Sequence, residues 1–321
     1  MLQYLIRRLL WAAVLFVATT IVTYVIFFVI PLDPAALACG KNCDPEDVAR
    51  TAKFLGTDRP LYVQYGKFMQ RLVLEQSLGT SFATRQNVND IVARAAPVTA
   101  SLVFGGVVFW MMLAIPVGVM SALRPRSLLD RAAMVFVLIG ISAHPVWIGL
   151  VLAYFVSFRL GLTPITGYCD MINPDTDCGG PVAWAHHLIL PWATFMLLFA
   201  ANYTRMIRAQ TMETLNEDFV RTARAKGAPE SRVLRSHVLR NAMLAVVTML
   251  GMDIGIALGG AIFTETVYGL PGLGQVALES ITTFDLPIAQ GIVVFGTISI
   301  IVFNLFVDLL YAWIDPRIRL S

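Results

Sequence analysis

The chain reads as an all-α integral membrane protein with six spans and both termini in the cytoplasm, and three observations carry that reading. Its residues are 57% hydrophobic and only 14% charged, with a mean hydropathy of +0.70, whereas a soluble domain carries about 25% charged residues. Six stretches, at 9–30, 97–120, 132–158, 187–204, 242–263 and 286–313, are apolar enough to cross a hydrocarbon core of roughly 30 Å, which takes about 20 helical residues. Charge orients them, because loops on the cytoplasmic side collect Lys and Arg. The 60 residues of segments 1–8, 123–131, 205–240 and 315–321 hold 15 of the 24 Lys and Arg; the 116 residues of the other connections hold 9. The net charge of +3 mostly reflects this bias and gives no argument for nucleic acid.

The first span follows Arg7 and Arg8 as a signal peptide would, yet it is too long for one and lacks a small-residue cleavage site before Pro31. An outer segment, 31–96, passes through acidic Asp44, Glu46 and Asp47. It then places Leu61, Tyr65, Phe68, Met69, Leu72 and Val73 at roughly helical spacing. That pattern predicts amphipathic helices lying on the membrane surface or capping the spans. Pro97 leads into the second span, and Pro116 interrupts it near its inner end. His144-Pro145 in the third span predicts a kink satisfied by neighbouring helices, with a proton relay as the rival reading. The fourth span is the shortest and ends in Asn202 and Tyr203.

All four cysteines, Cys39, Cys43, Cys169 and Cys178, fall on the outer side of this topology. An oxidising exterior favours disulfides, most simply Cys39–Cys43 and Cys169–Cys178. Four cysteines allow three pairings, and exposed free thiols are the alternative. No histidine stands beside either pair, so no metal site is assigned.

The connection at 209–240 is unlike an ordinary loop. Asn216, Glu217 and Asp218 supply a cap and negative charge where a helix starts. Arg224 and Lys226 fall near its end, and Gly227 is a natural left-handed terminator. Pro229 suits the first turn of a second helix, 229–240, and Phe219, Val220 and Ala223 can form one small apolar face on the first. Arg221, Arg232, Arg235 and Arg240 add positive charge. Two readings fit these residues: a positive anchor for anionic headgroups, or a docking surface for a partner.

Arg221-Thr222-Ala223-Arg224-Ala225-Lys226-Gly227 resembles the cytoplasmic "EAA" loop of ABC-importer permeases, whose pattern is E-A-A-x-x-x-G. The resemblance runs almost end to end. MLQYLIRRLL at the start, LGTDRPLYVQYGKFM, HLILPWATF, TETVYGLPGLGQ (264–275) and VDLLYAWIDPRIR (307–319) all look like the dipeptide/oligopeptide/nickel branch, in the order of its B-type permease subunit. Departures are Arg221 in place of the Glu of the general pattern, Ala245 where members often have Pro, Asp253 where they have an amide, and the cysteine pairs. The resemblance implies a single type I ABC-importer transmembrane domain over 1–321. It also implies that Phe219, Val220, Arg221, Ala223, Arg224, Ala225, Lys226 and Gly227 belong to a coupling helix that inserts into a groove of an ATPase subunit. The implied partners are a second homologous permease, two cytoplasmic ATPase subunits that hold ATP and Mg, an extracytoplasmic binding protein, and the bilayer. This chain itself would bind no cofactor. Peptide is the implied cargo, with nickel or an oligosaccharide as alternatives within the branch.

Gly251, Gly255 and Gly259 recur every four residues in the fifth span, with Gly260 adjacent. Small residues at that spacing let helices approach closely, and lining a substrate path is the sharper reading of Gly255 and Gly259. Asp253 sits in the same span, where a charge is costly and faces a cavity or a partner. It lines the path or makes a structural bond. Glu265 and the run Tyr268–Gly274 follow on the outer side, where Gly and Pro specify a tightly turned segment; by resemblance this region faces the path. The chain lacks G-x-x-x-x-G-K-[ST], and no nucleophile in a span has a plausible base. That argues against an enzyme. An ion-coupled secondary transporter would show inverted repeats and intramembrane charge pairs, and the sequence shows neither.

Overall fold

The computed structural model describes residues 2–29, 35–36, 44–55, 60–172 and 178–314. Helix α1 (Leu2–Tyr24) runs on into a π-helical stretch, Val25–Val29, and the short helices α2 (Pro45–Leu55) and α3 (Leu61–Leu74) follow. Helix α4 (Val88–Leu123) begins at an Asn87 cap, whose side chain accepts the Asn89 N–H at 3.0 Å. It therefore starts ahead of Pro97, which lies inside it with Pro116. An internal proline removes one backbone bond, a loss that packed membrane helices tolerate. At 1.5 Å per residue its 36 residues reach about 54 Å, so it projects beyond the hydrocarbon core.

The third expected span is broken. Helices α5 (Leu128–Ser142) and α6 (Pro145–Arg159) meet at 106°. The residue before a proline is pushed out of the α region, and His144 is extended (φ −77°, ψ 139°), as is Ala143. The His144 Nδ1 accepts the Val146 N–H at 3.3 Å and caps the second half. The histidine thus terminates one helix and starts the next. Among the described residues five helices are long and apolar enough to cross a membrane, and six segments are if this bent pair is one span.

Helix α7 (Pro181–Leu215) and helix α9 (Glu230–Leu258) extend well past the expected 187–204 and 242–263 on the side of the basic segment. Hydropathy marks only the lipid-facing part of a helix, and both continue into water as polar turns. Between them lies α8 (Asp218–Ala225). The expected separate helix 229–240 is instead the first turns of α9, including a π-helical stretch at Val233–Leu239, with Pro229 as its extended cap. Helices α10 (Ile262–Tyr268) and α11 (Leu273–Thr282) form a compact turn before α12 (Leu286–Ile314). The end carrying α8 is called the basic end below, and the end carrying α3, the disulfide and α10–α11 the far end.

The largest interface joins α4 to α7. Gly105 lies flat against the Trp192 indole and Gly106 against Phe195, leaving no room for a Cβ at the first. Trp110 is fully buried and stacks on Phe199 with ring centroids 4.6 Å apart. Helices α9 and α12 approach through the glycine stripe: Gly251 meets Val307, a Cβ at Gly255 would sit 2.9 Å from the Ile300 Cα, and Gly259 faces Gly296. Lipid supplies no hydrophobic drive between spans, so close packing of this kind holds them. Gly255→Leu should therefore lower the stability of the purified protein by about 1–3 kcal/mol, the usual cost of overpacking, read as a drop in thermal midpoint. Gly66→Ala, with nothing within 4 Å of the added methyl, should not lower it.

Candidate functional sites

At the basic end, α8 is held on one side and open on the other. Val220 is fully buried, packed with Val233 and Val238 of α9, Leu215 of α7, Ala223 and Ala228. Phe219 does not share that face; it is 42% exposed. Arg221, Arg224, Ala225, Lys226 and Gly227 are exposed as well. The helix stops where the sequence predicts, because Gly227 takes φ +78°, a conformation that costs glycine little. The Gly227 N–H donates to the Arg224 carbonyl at 2.9 Å and the Ala228 N–H to the Ala223 carbonyl at 3.2 Å, so the last carbonyls are satisfied. Arg224 forks onto Glu230 (Nε–Oε1 2.8 Å, Nη2–Oε2 3.2 Å), fastening α8 to the start of α9. An exposed pair of this sort contributes about 0–1 kcal/mol, so the buried valines are the stronger tie.

Behind it lies a charge pair that sequence reasoning did not find. Arg208 of α7 grips Asp130 of α5 bidentately, Nε to Oδ1 at 2.7 Å and Nη2 to Oδ2 at 3.0 Å. Ser121 of α4 donates to the same carboxylate, as does the Arg126 N–H at 2.8 Å. Three helices meet on one acid whose side chain is 7% exposed. The signal available was Ser127 three residues ahead of Asp130, a helix-start pattern realised as a 3.2 Å bond from the Asp130 N–H to the Ser127 Oγ. Its partner is 78 residues away.

In the middle of the bundle, Asp253 is half-buried and accepts the Tyr203 hydroxyl at 2.6 Å on Oδ2. Its other oxygen has no hydrogen-bond partner among the described residues. Gly255 and Gly259 on the same helix are taken up by α12, as described above.

Glu265 at the far end is fully buried. Its Oε1 accepts the Thr99 hydroxyl at 2.7 Å and its Oε2 the Gln275 N–H at 3.0 Å. Thr99 in turn accepts the Leu273 N–H at 2.8 Å. Burial raises the pKa of this carboxyl, while the Thr99 hydroxyl and the backbone N–H groups of Gln275, Ala261 and Gly274 pull it down. A Cβ at Gly272 would lie 2.5 Å from the carboxyl carbon, so the turn wraps the acid directly. In this conformation Glu265 faces its own turn rather than an open path. Tyr268 adds bonds to Thr194 (2.8 Å) and to the Gly149 carbonyl (3.2 Å), and the Gly167 N–H reaches the Tyr268 carbonyl at 3.1 Å.

Cys169 and Cys178 form a disulfide with Cα atoms 5.4 Å apart, and the Cys169 Sγ lies 3.3 Å from the His187 Nδ1. Cys39 and Cys43 lie outside the described residues. No group of three or more metal-binding side chains occurs among the described residues.

The described residues thus form a bundle of closely packed apolar helices that presents one short polar helix beyond its end. The chain belongs to the binding-protein-dependent transport system inner membrane components, whose family profile matches residues 114–320; the profile for the N-terminal part of such membrane components matches residues 1–103. It is 36% identical over 337 residues to the dipeptide transport system permease protein DppB of Escherichia coli (strain K12), covering 99% of each chain. It is 35% identical over 334 residues to the protein of the same name from Alkalihalophilus pseudofirmus, covering 99% of this chain and 100% of that one. A putative peptide transport system permease of Brucella abortus (strain 2308) is 33% identical over 320 residues, covering 99% of each. Among solved structures, the inward-facing MetNI methionine ABC transporter matches with a TM-score of 0.51 at 16% identity, over 70% of this chain and 96% of that chain. The protein is thus a multi-pass inner-membrane permease subunit of an ABC importer, a transport component rather than an enzyme.

The Asp130 site makes a stability prediction. Arg208→Met leaves a buried carboxylate without its counter-charge and should cost roughly 3–5 kcal/mol, whereas neutralising both partners in Asp130→Asn/Arg208→Gln should recover most of it. Thermal unfolding of the purified variants reads the difference.

Proposed function

We propose that this chain is the B-type permease of an importer for di- or oligopeptides, and that α8 is the element its ATPase drives. The exposed face of α8, backed by the buried Val220, carries the proposal: a small rigid lever offering Phe219, Arg221, Ala225 and Lys226 outward. The cargo reading is supported by the three relatives named for peptide transport. By the distribution of Lys and Arg, the basic end is cytoplasmic and both termini lie there.

In this reading a second homologous permease completes the pore. Two cytoplasmic ATPase subunits hold ATP and Mg, and a secreted binding protein delivers the peptide to the far end. Closure of the ATPases pushes α8. The push passes into α9 through Val220, Val233 and Val238, and into α7 through the two-residue link to Leu215. From α7 it reaches α5 and α4 through the Arg208–Asp130–Ser121 contact, so the spans rock as packed bodies between outward-open and inward-open states. Along the path, the free oxygen of Asp253 attracts the cationic end of the peptide.

Arg221→Glu/Lys226→Glu reverses charge on the exposed face and leaves the valine contacts alone. It should insert normally yet lose ATPase co-purification and peptide-stimulated ATP hydrolysis; normal co-purification would sink the coupling role. Asp253→Asn should lower uptake of peptides with a free amino terminus relative to blocked ones. Unchanged uptake of both would remove Asp253 from the path.

A further inference from the structure

A cavity of about 580 Å3 opens at the far end, between the outer end of α1, helix α3, the loop after it and the first turn of α12. That volume falls within the range of about 300–1,000 Å3 typical of small-ligand sites. Gln290 lines the cavity at 4% exposure, and its Nε2 has no hydrogen-bond partner among the described residues. A buried amide without a partner is costly and marks a missing ligand or water. Lys53, Lys67, Arg71 and Arg85 also line the cavity, and none of them makes an ion pair among the described residues. Glu75 is the one acid in the lining among the described residues. Asp285, beside it in the fold, is already occupied by the Ser81 hydroxyl (2.5 Å) and the N–H groups of Phe82 and Ala83 (3.1 Å each). An unpaired donor together with four cations calls for an anion.

The surroundings say where that anion comes from. Tyr24 and Phe28 form one wall, stacked with centroids 5.1 Å apart, and aromatic residues favour the membrane–water boundary. The α1 surface leading away from them exposes Val22, Val25 and Ile26. Helix α3, which supplies Lys67 and Arg71, exposes Leu61, Tyr62, Val73 and Leu74 as well, the composition of a helix lying in the interface. A phosphate seated among the cations would leave its acyl chains against apolar protein surface.

We propose that this cavity holds the phosphate headgroup of an anionic phospholipid, with the Gln290 Nε2 as donor and the four basic side chains neutralising the charge. The site rests on the protein being a membrane permease; which leaflet supplies the lipid follows from the orientation proposed above.

Native mass spectrometry of the assembled transporter in detergent tests it, without use of uptake or ATP hydrolysis. Phosphatidylglycerol added back to delipidated protein should remain bound at collision energies that strip phosphatidylcholine. Gln290→Met and, separately, Lys67→Gln/Arg71→Gln should each reduce its retention about tenfold, the effect of losing one or two charge-assisted bonds. Glu75→Gln should raise retention, a gain that a misfolded protein cannot give. Equal retention of the two lipids, or retention unchanged in the variants, would overturn the proposal. So would displacement of phosphatidylglycerol by millimolar inorganic phosphate, which assigns the site to a free anion, or a photo-crosslink from position 67 to the secreted binding protein in place of bound lipid.

Discussion

The contact between α4 and α7 sets where the other helices can go. A glycine on α4 takes the face of Trp192, Trp110 stacks back across the interface onto Phe199, and the two axes come close along most of their length. In lipid no apolar surface is squeezed out of solvent, so shape and polar links hold helices together. Helix α7 carries both kinds in order along its length. Trp192 and Phe195 fill the gaps in α4, Tyr203 reaches across to Asp253 on α9, and Arg208 reaches down to Asp130 on α5. Each is a tie to a different neighbour, which makes α7 the spine of the bundle. Its last turn then delivers the chain to α8.

Three of the acids among the described residues, Asp130, Glu265 and Asp253, are handled differently. Asp130 is bound by a guanidinium, a hydroxyl and a backbone N–H. Glu265 is enclosed by a hydroxyl and the turn that wraps it. Both have their acceptor capacity consumed internally, which suits groups that fix geometry, since a buried charge without partners would be too costly to keep. Asp253 has one donor and is only partly buried. Of the three it alone keeps acceptor capacity for something passing by. A difference in saturation separates two acids whose oxygens are taken up from one that keeps an oxygen free.

How much of this was legible in the sequence follows from the range of each interaction. The spans were legible because lipid imposes about 20 apolar residues per crossing, and the stop at Gly227 because a left-handed turn selects glycine. Helix ends in water were not, since the polar turns of α7 and α9 carry no hydropathy signal; the basic stretch after Pro229 read as a separate helix for that reason. His144-Pro145 gave the break but not its angle of 106°, which depends on what each half packs against. Glu265 read as an acid beside a Gly-Pro turn that by resemblance faces the path, and its enclosure rests on Thr99, 166 residues away. A still longer separation hides Asp285 behind Ser81, 204 residues apart. Pairings that remote leave no local trace. The family resemblance supplied the role proposed for residues 219–227, while the structure supplied which of them face outward.

That division on α8 bears on how force could cross this protein. An eight-residue helix is too short to be stable alone, so its rigidity must be borrowed. The lender is the Val220 cluster, and it lies at the basic end, in water, where the hydrophobic effect operates at full strength. Burying a valine contributes about 1.5–3 kcal/mol, more than the about 0–1 kcal/mol of the exposed Arg224–Glu230 pair. A partner pressing on the outward face would therefore meet a helix backed by packed valines, and α9 would move before α8 detached. Above that level the mode of adhesion changes from hydrophobic burial to glycine packing and enclosed acids, which favour whole-body displacement over local unfolding. A lever held by water-driven packing, joined to a bundle held by shape, is an arrangement in which a push at one end arrives as a tilt of the spans.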